Sequence, residues 1–146
     1  MKPILRKTRS IKQDRERITK NELFIGIAEL VAQRSTCSRK QVGAIITDRT
    51  NSNILDIGYN GNYAGGPNTC DIDGAGICGC VHAEINALVK NSSEPRGAIY
   101  VTDSPCMNCA KAIINSGIEK VYYRNDYRIA DGLNLLKKVL KVEKIK

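Results

Sequence analysis

The stretch GCVHAEINALVK, residues 79–90, holds the only histidine of a 146-residue chain. His82 stands two residues before Glu84, and Cys78 and Cys80 precede it. The periodicity predicts a helix over 82–91. Downstream, AIYVT (98–102) reads as a short β-rich strand, the tract around PCMNCAKAIINS as a helix over 105–116, and EKVYYR (119–124) as the next strand. Ser104 reads as the N-cap of that middle helix, Pro105 suits its first position, and Gly117 ends it. A further helix over 130–141 precedes VEKI, a candidate edge strand. Helices that alternate with strands demand a parallel portion of sheet covered on both faces. The expected fold class is therefore α/β, three layers in the order α/β/α around a mixed sheet of roughly five strands.

Upstream, TKNELFIGIAELVAQRS (19–35) places Leu23, Phe24, Ile27, Leu30 and Val31 on one helical stripe, with Thr19 and Glu22 spaced as a capping box. QVGAIITD (41–48) and NILDIGYN (53–60) are joined by the polar turn RTNS and read as a hairpin. Residues 61–80 are glycine-rich and carry no usable period. A loop of that length inside a domain is functional or tied down by something. Neither an internal repeat nor a second domain is visible, so 20–146 is taken as one domain.

The formal charge of +8 gathers at the two ends. Residues 1–20 carry eight Lys/Arg against Asp14 and Glu16, and the last ten residues carry five lysines against Glu143. No aromatic side chain interleaves with the N-terminal charges to stack on bases. Residues 1–19 are therefore read as a basic extension, solvated or wrapped on a subunit, and not as a nucleic-acid arm. There is no apolar run of about 18 residues, nor the apolar core of a secretory signal. The expectation is a soluble cytoplasmic protein (host cytoplasm if the chain is viral) with no membrane partner. In a reducing compartment its six cysteines are thiols or metal ligands and not disulfides.

Cys106 and Cys109, three apart at the start of a helix, present two sulfurs to one face. A lone C-x-x-C also serves redox pairs. Preceded by His-x-Glu on the previous helix, Pro-Cys-x-x-Cys becomes the signature of the zinc deaminases. One neutral imidazole and two thiolates around Zn²⁺ leave a fourth position for a water of lowered pKa. Glu84 is two residues from His82 and points elsewhere on the helix, so it is read as the catalytic proton carrier and not as a ligand. A core histidine with incidental buried thiols would have to produce all four residues in this order by chance.

From about residue 20 to 130 the chain resembles the deoxycytidylate (dCMP) deaminase family, phage-encoded versions included. The resemblance runs through STCSRKQVGAIITD (35–48), GYNGNYAGGPNTCD (58–71), VHAEINAL (81–88) and SPCMNCAKAIINSGIEKVYYRNDYR (104–128). Transfer RNA adenosine deaminases share His-Ala-Glu, so GYNG and YYRNDYR carry the choice. The resemblance implies a cytidine-deaminase-like fold and hydrolysis of dCMP to dUMP and ammonia, supplying thymidylate synthesis. It implies substrate contacts at Ser38, Arg39, Lys40, Asn60, His82, Ala83, Tyr123 and Arg124, with Arg39 and Arg124 on the phosphate. It also implies a homohexamer regulated by dCTP with Mg²⁺ and by dTTP. Taken alone, Asn60-Gly61 is a turn signal. Other readings are a nucleic-acid-editing deaminase that uses the basic arm, or a non-catalytic binding module; an intact Glu84 counts against the latter.

Cys37 and Cys70 match positions where phage-type relatives carry a second, structural zinc. With Cys78 and Cys80 they would close a four-cysteine site pinning the loop to the first strand. The alternative is four ordinary reduced thiols.

Overall fold

Thr19 opens the first helix as its sequence spacing predicts. Its hydroxyl accepts the Glu22 N–H at 3.1 Å, and the Glu22 carboxylate accepts the Thr19 N–H at 2.7 Å. Helix α1 follows over Lys20–Ala32. The computed structural model describes residues 16–72, 78–90 and 92–146, so residues 1–15 of the basic extension and 73–77 of the long loop lie outside the described residues.

Strands β1 (Gly43–Asp48) and β2 (Ile54–Tyr59) form the expected antiparallel hairpin. Its turn holds Asn51 at φ 53, a conformation that asparagine tolerates. Then come α2 (Ala83–Leu88), β3 (Arg96–Asp103), α3 (Met107–Asn115), β4 (Lys120–Asn125), α4 (Asp131–Val139) and β5 (Lys141–Lys144). The sheet order is β2-β1-β3-β4-β5. β1 pairs antiparallel with β3, whereas β3–β4 and β4–β5 are parallel. The mixed five-stranded sheet and the closing edge strand agree with the sequence expectation.

Each face of the sheet buries its own core. On one side Phe24, Ile25 and Ala28 of α1 pack on Ile45, Ala98, Tyr100 and Tyr122. Tyr100 stacks on Tyr122 with ring centroids 4.6 Å apart and donates its hydroxyl to Asn21 at 2.7 Å. On the other side α2, α3 and α4 bring Ala83, Ala87, Ala110, Ile113 and Leu136 against Ile46, Ile99, Val101 and Val121. Strand β3 is buried over seven of its eight residues, as a strand covered on both faces must be.

The stripe on α1 differs from the sequence reading. Leu23 and Leu30 are 44% and 67% exposed, and the buried positions are Phe24, Ile25, Ala28 and Ala32. Closeness explains this, because a Cβ added at Gly43 would sit 2.0 Å from the Ala28 carbonyl oxygen. The helix approaches β1 too nearly for leucine at Ala28 and Ala32, while Phe24, Ile27 and Val31 of the expected stripe do pack on this core.

Candidate active site

Two helix starts and two strand ends converge at one edge of the sheet. His82 is the N-cap of α2 and makes no capping hydrogen bond with its side chain, which leaves the imidazole to other partners. Ala83 and Glu84 begin the helix and are buried. β2 holds α2 closely: a Cβ on Gly58 would lie 2.2 Å from the Ala83 carbonyl oxygen and 2.5 Å from the Ala87 nitrogen. Across from them, α3 begins at Met107 with Cys106 as its N-cap. The expected cap, Ser104, instead continues the line of β3. Its N–H donates to the Asn125 carbonyl at 2.9 Å and its hydroxyl accepts the Tyr127 N–H at 2.8 Å, so ladder bonding outcompetes the capping role.

The Nδ1 atom of His82 lies 3.5 Å from Cys106 Sγ and 3.3 Å from Cys109 Sγ, and the three donor atoms all fall within 4.8 Å of one another. Tetrahedral zinc with these ligands has N–S and S–S edges of about 3.6 and 3.8 Å, so the donor set fits zinc. Cys109 beside Cys106, together with the His82 ring, pulls the Cys106 thiol down to about 3. It is thus a thiolate at neutral pH, the form that binds metal. Cys106 in turn raises Cys109, with burial adding to the effect. Burial pushes the Glu84 carboxyl up to about 7, against the pull of its own backbone N–H and of His82. The only histidine, two cysteines and this glutamate are brought together as the sequence spacing predicts.

A cleft of about 830 Å³ opens above these groups. Arg39, Lys40, Asn60, Tyr127, Arg128 and Asp131 are among the residues that line it. Asn60 is 7% exposed, and both ends of its amide serve the backbone. It donates to the Lys40 carbonyl at 2.7 Å and accepts the Val42 N–H at 2.8 Å, which fixes the Lys40–Val42 wall.

Three expected substrate contacts fall elsewhere. Ser38 Oγ lies 3.6 Å from Cys70 Sγ, outside the cleft lining. Tyr123 is buried within β4, and Arg124 is turned to α1, with Nε 3.1 Å from Glu29. Strand alternation puts Arg124 on the same face as Tyr122, the one that α1 covers, and the loop beyond the strand supplies Tyr127 and Arg128 to the cleft instead. The rule that ligands sit outside the carboxyl ends of strands, applied one step further along YYRNDYR, would have found them.

Cys37, Cys70, Cys78 and Cys80 form a second cluster, all within 4.8 Å. Cys70 Sγ is 3.6 Å from Cys37 Sγ and 3.5 Å from Cys80 Sγ, near the edge length of a four-thiolate zinc site. Hydrogen bonds from Ser38 lower the Cys70 thiol to about 7. The cluster is joined to the first centre by the chain itself, for Val81 and Gly61 bridge between Cys80 and His82 with N–H to O distances of 2.7 and 3.1 Å.

A sheet of this order with His-x-Glu and Cys-x-x-Cys on facing helix starts defines a zinc-dependent deaminase centre. Residues 18–125 match the cytidine and deoxycytidylate deaminase zinc-binding region, and the chain belongs to that family. It is 42% identical over 122 residues to ComE operon protein 2 of Bacillus subtilis (strain 168), an alignment covering 77% of this chain and 63% of that protein. The deoxycytidylate deaminase of Mycobacterium phage D29 is 40% identical over 121 residues, covering 70% of this chain and 92% of the relative. Among solved structures, the dCMP deaminase of cyanophage S-TIM5, in complex with dCMP and dUMP, is similar with a TM-score of 0.78 and 39% identity. That likeness covers 90% of this chain and 100% of the other. No described helix is long and apolar enough to cross a membrane.

Proposed function

We infer that the protein hydrolyses dCMP to dUMP and ammonia. One observation carries the reading: a buried carboxylate, Glu84, beside a His-Cys-Cys zinc set at the floor of a cleft with a basic rim. The cyanophage relative, bound to dCMP and dUMP, supports it. His82, Cys106 and Cys109 would hold zinc, which supplies a Lewis acid that lowers the pKa of water toward neutrality. Glu84 takes the proton of the attacking water and delivers it to the ring nitrogen next to the attacked carbon, then takes the proton of the newly added hydroxyl as it becomes the carbonyl and passes it to the departing amine, which leaves as ammonia. A carboxyl held near neutrality both accepts and donates at working pH. Arg39 and Arg128 face the cleft and offer guanidinium forks to the phosphate.

Cys37, Cys70, Cys78 and Cys80 hold a second, structural zinc in this reading. The regulatory behaviour rests on the family resemblance: a homohexamer, dCTP with Mg²⁺ as activator and dTTP as inhibitor. Exposed apolar side chains on α1 and β2, Leu30 and Ile57 among them, support burial against further subunits.

The deciding assay compares turnover of dCMP with that of cytosine in single-stranded DNA and adenosine in transfer RNA. Preference for the free nucleotide, with little dependence on salt, is the expected result. Faster, strongly salt-dependent turnover of a polynucleotide would replace this reading with an editing deaminase.

A further inference from the structure

Asp103 is a buried carboxylate that the reaction above does not use. It closes β3 with its side chain only 7% exposed, and its Oδ1 lies 2.7 Å from Lys40 Nζ. Its other oxygen accepts the Thr102 hydroxyl at 3.1 Å, and that hydroxyl accepts the Gly43 N–H at 3.2 Å. Asn125 then anchors Thr102 by donating to its carbonyl at 3.0 Å. The carboxylate is therefore fixed from β1, β3 and β4 together.

Lys40 is the opposite kind of residue, half-exposed on a loop between α1 and β1. A lysine so placed ordinarily spreads over many rotamers in water. Here its ammonium is drawn inward and stands 5.8 Å from the centroid of the Tyr127 ring. Lys40 and Asp103 line the active cleft and also a smaller cavity of about 330 Å³ behind it, beside Gln33, Gln41 and Asn125. The ion pair is the partition between the two spaces.

We propose that Asp103 is a positioning residue, holding the Lys40 ammonium on the cleft wall so that its remaining donors meet the anionic group of the substrate. The ammonium has three donors, and Asp103 holds it as an ion pair at 2.7 Å. Without the anchor, Lys40 relaxes into solvent, and the phosphate loses a charge-assisted partner on each encounter. The inference rests on the dCMP reading, yet its physical core, a lysine held by a buried carboxylate, is testable without turnover.

Two measurements test it on zinc-loaded protein. The first is the rate at which Lys40 is labelled by an amine-reactive ester, read by peptide mass spectrometry. Asp103→Asn should raise that rate about fivefold or more, as an anchored amine becomes a free one, while Lys111 keeps its rate as the internal standard. An unchanged Lys40 rate overturns the positioning role whatever the enzyme acts on. The second is steady-state kinetics, where Asp103→Asn and Lys40→Met should each raise KM for dCMP about tenfold with kcat within about twofold, and the double variant should be no worse than either. Deoxycytidine, which lacks the phosphate, should respond to neither change. A lower KM in Asp103→Asn would mean that the carboxylate only repels the substrate, and equal losses of kcat on both substrates would mean a purely structural pair; either result overturns the proposal. Lack of dCMP turnover by the unmodified protein sinks the functional reading alone, and the labelling rate still decides the positioning role.

Discussion

Gly58→Ala should damage both stability and rate, through backbone contact alone. The new methyl would meet the Ala83 carbonyl oxygen at 2.2 Å, the Ala87 nitrogen at 2.5 Å and the Ala87 Cβ at 3.0 Å. Two of these three are main-chain atoms of α2, so no rotamer change relieves them. Restoring ordinary van der Waals distance requires β2 and α2 to part by about 1 Å. Overpacking of this kind costs about 1–3 kcal/mol. Because Ala83 lies between His82 and Glu84, the same shift displaces Glu84, the proposed proton carrier, relative to Cys106 and Cys109. A misplacement of about 1 Å at a catalytic group costs on the order of 100-fold in rate. Urea denaturation and kcat for dCMP on zinc-loaded protein measure both losses. Gly26→Ala is the control, since nothing lies within 4 Å of its added Cβ in the middle of α1. It should stabilise by about 0.5–1 kcal/mol and leave kcat alone. A Gly58→Ala protein as stable and active as the original would refute the claim that β2 sets the position of α2.

Glu84→Gln should keep the first zinc while lowering kcat by at least about 10³-fold, the upper range for an acid–base group; metal analysis showing that zinc leaves with the activity would assign Glu84 to the ligand set. Cys78→Ser combined with Cys80→Ser should take the protein from about two zinc ions per chain to about one and lower its Tm, and a count of one in fully reduced unmodified protein would remove the second site. Arg128→Ala should raise KM for dCMP about tenfold or more, whereas Arg124→Ala should cost a little stability through its Glu29 partner and leave KM near its original value. The reverse pattern would return the phosphate contact to the strand.

The first metal centre was legible in the sequence because its chemistry demands specific side chains on short, locally determined elements. His82 and Glu84 start one helix, Cys106 and Cys109 start another, and a single strand separates them. The features that escaped depend on distance between elements. Ala28 and Ala32 face the sheet because Gly43 lets α1 come close, and no count of apolar bulk along α1 carries that information. Gly58 reads as one residue of the strand NILDIGYN and of the GYNG block but acts as a spacer against α2. The choice between Arg124 and Arg128 turned on which way β4 presents its side chains and where the chain goes after Asn125. The four cysteines were expected to gather, and the structure brings them together across the long loop.

Strand β1 has one partner close in sequence and one far away. Its hairpin with β2 closes through a short turn, but the opposite edge waits for β3, with Ile46 facing Ile99 roughly 50 residues later. On a ribosome adding about 5–20 residues per second, that edge stays open for several seconds. During the interval GAIITD, largely buried in the finished protein, presents one open apolar edge of the kind that recruits other chains. The tract synthesised meanwhile carries Cys70, Cys78, Cys80 and His82, so metal capture and strand closure draw on the same stretch of chain. Biogenesis of this protein is therefore exposed to aggregation and thiol oxidation at one moment, before β3 emerges, and slowing translation across residues 49–95 lengthens that exposure.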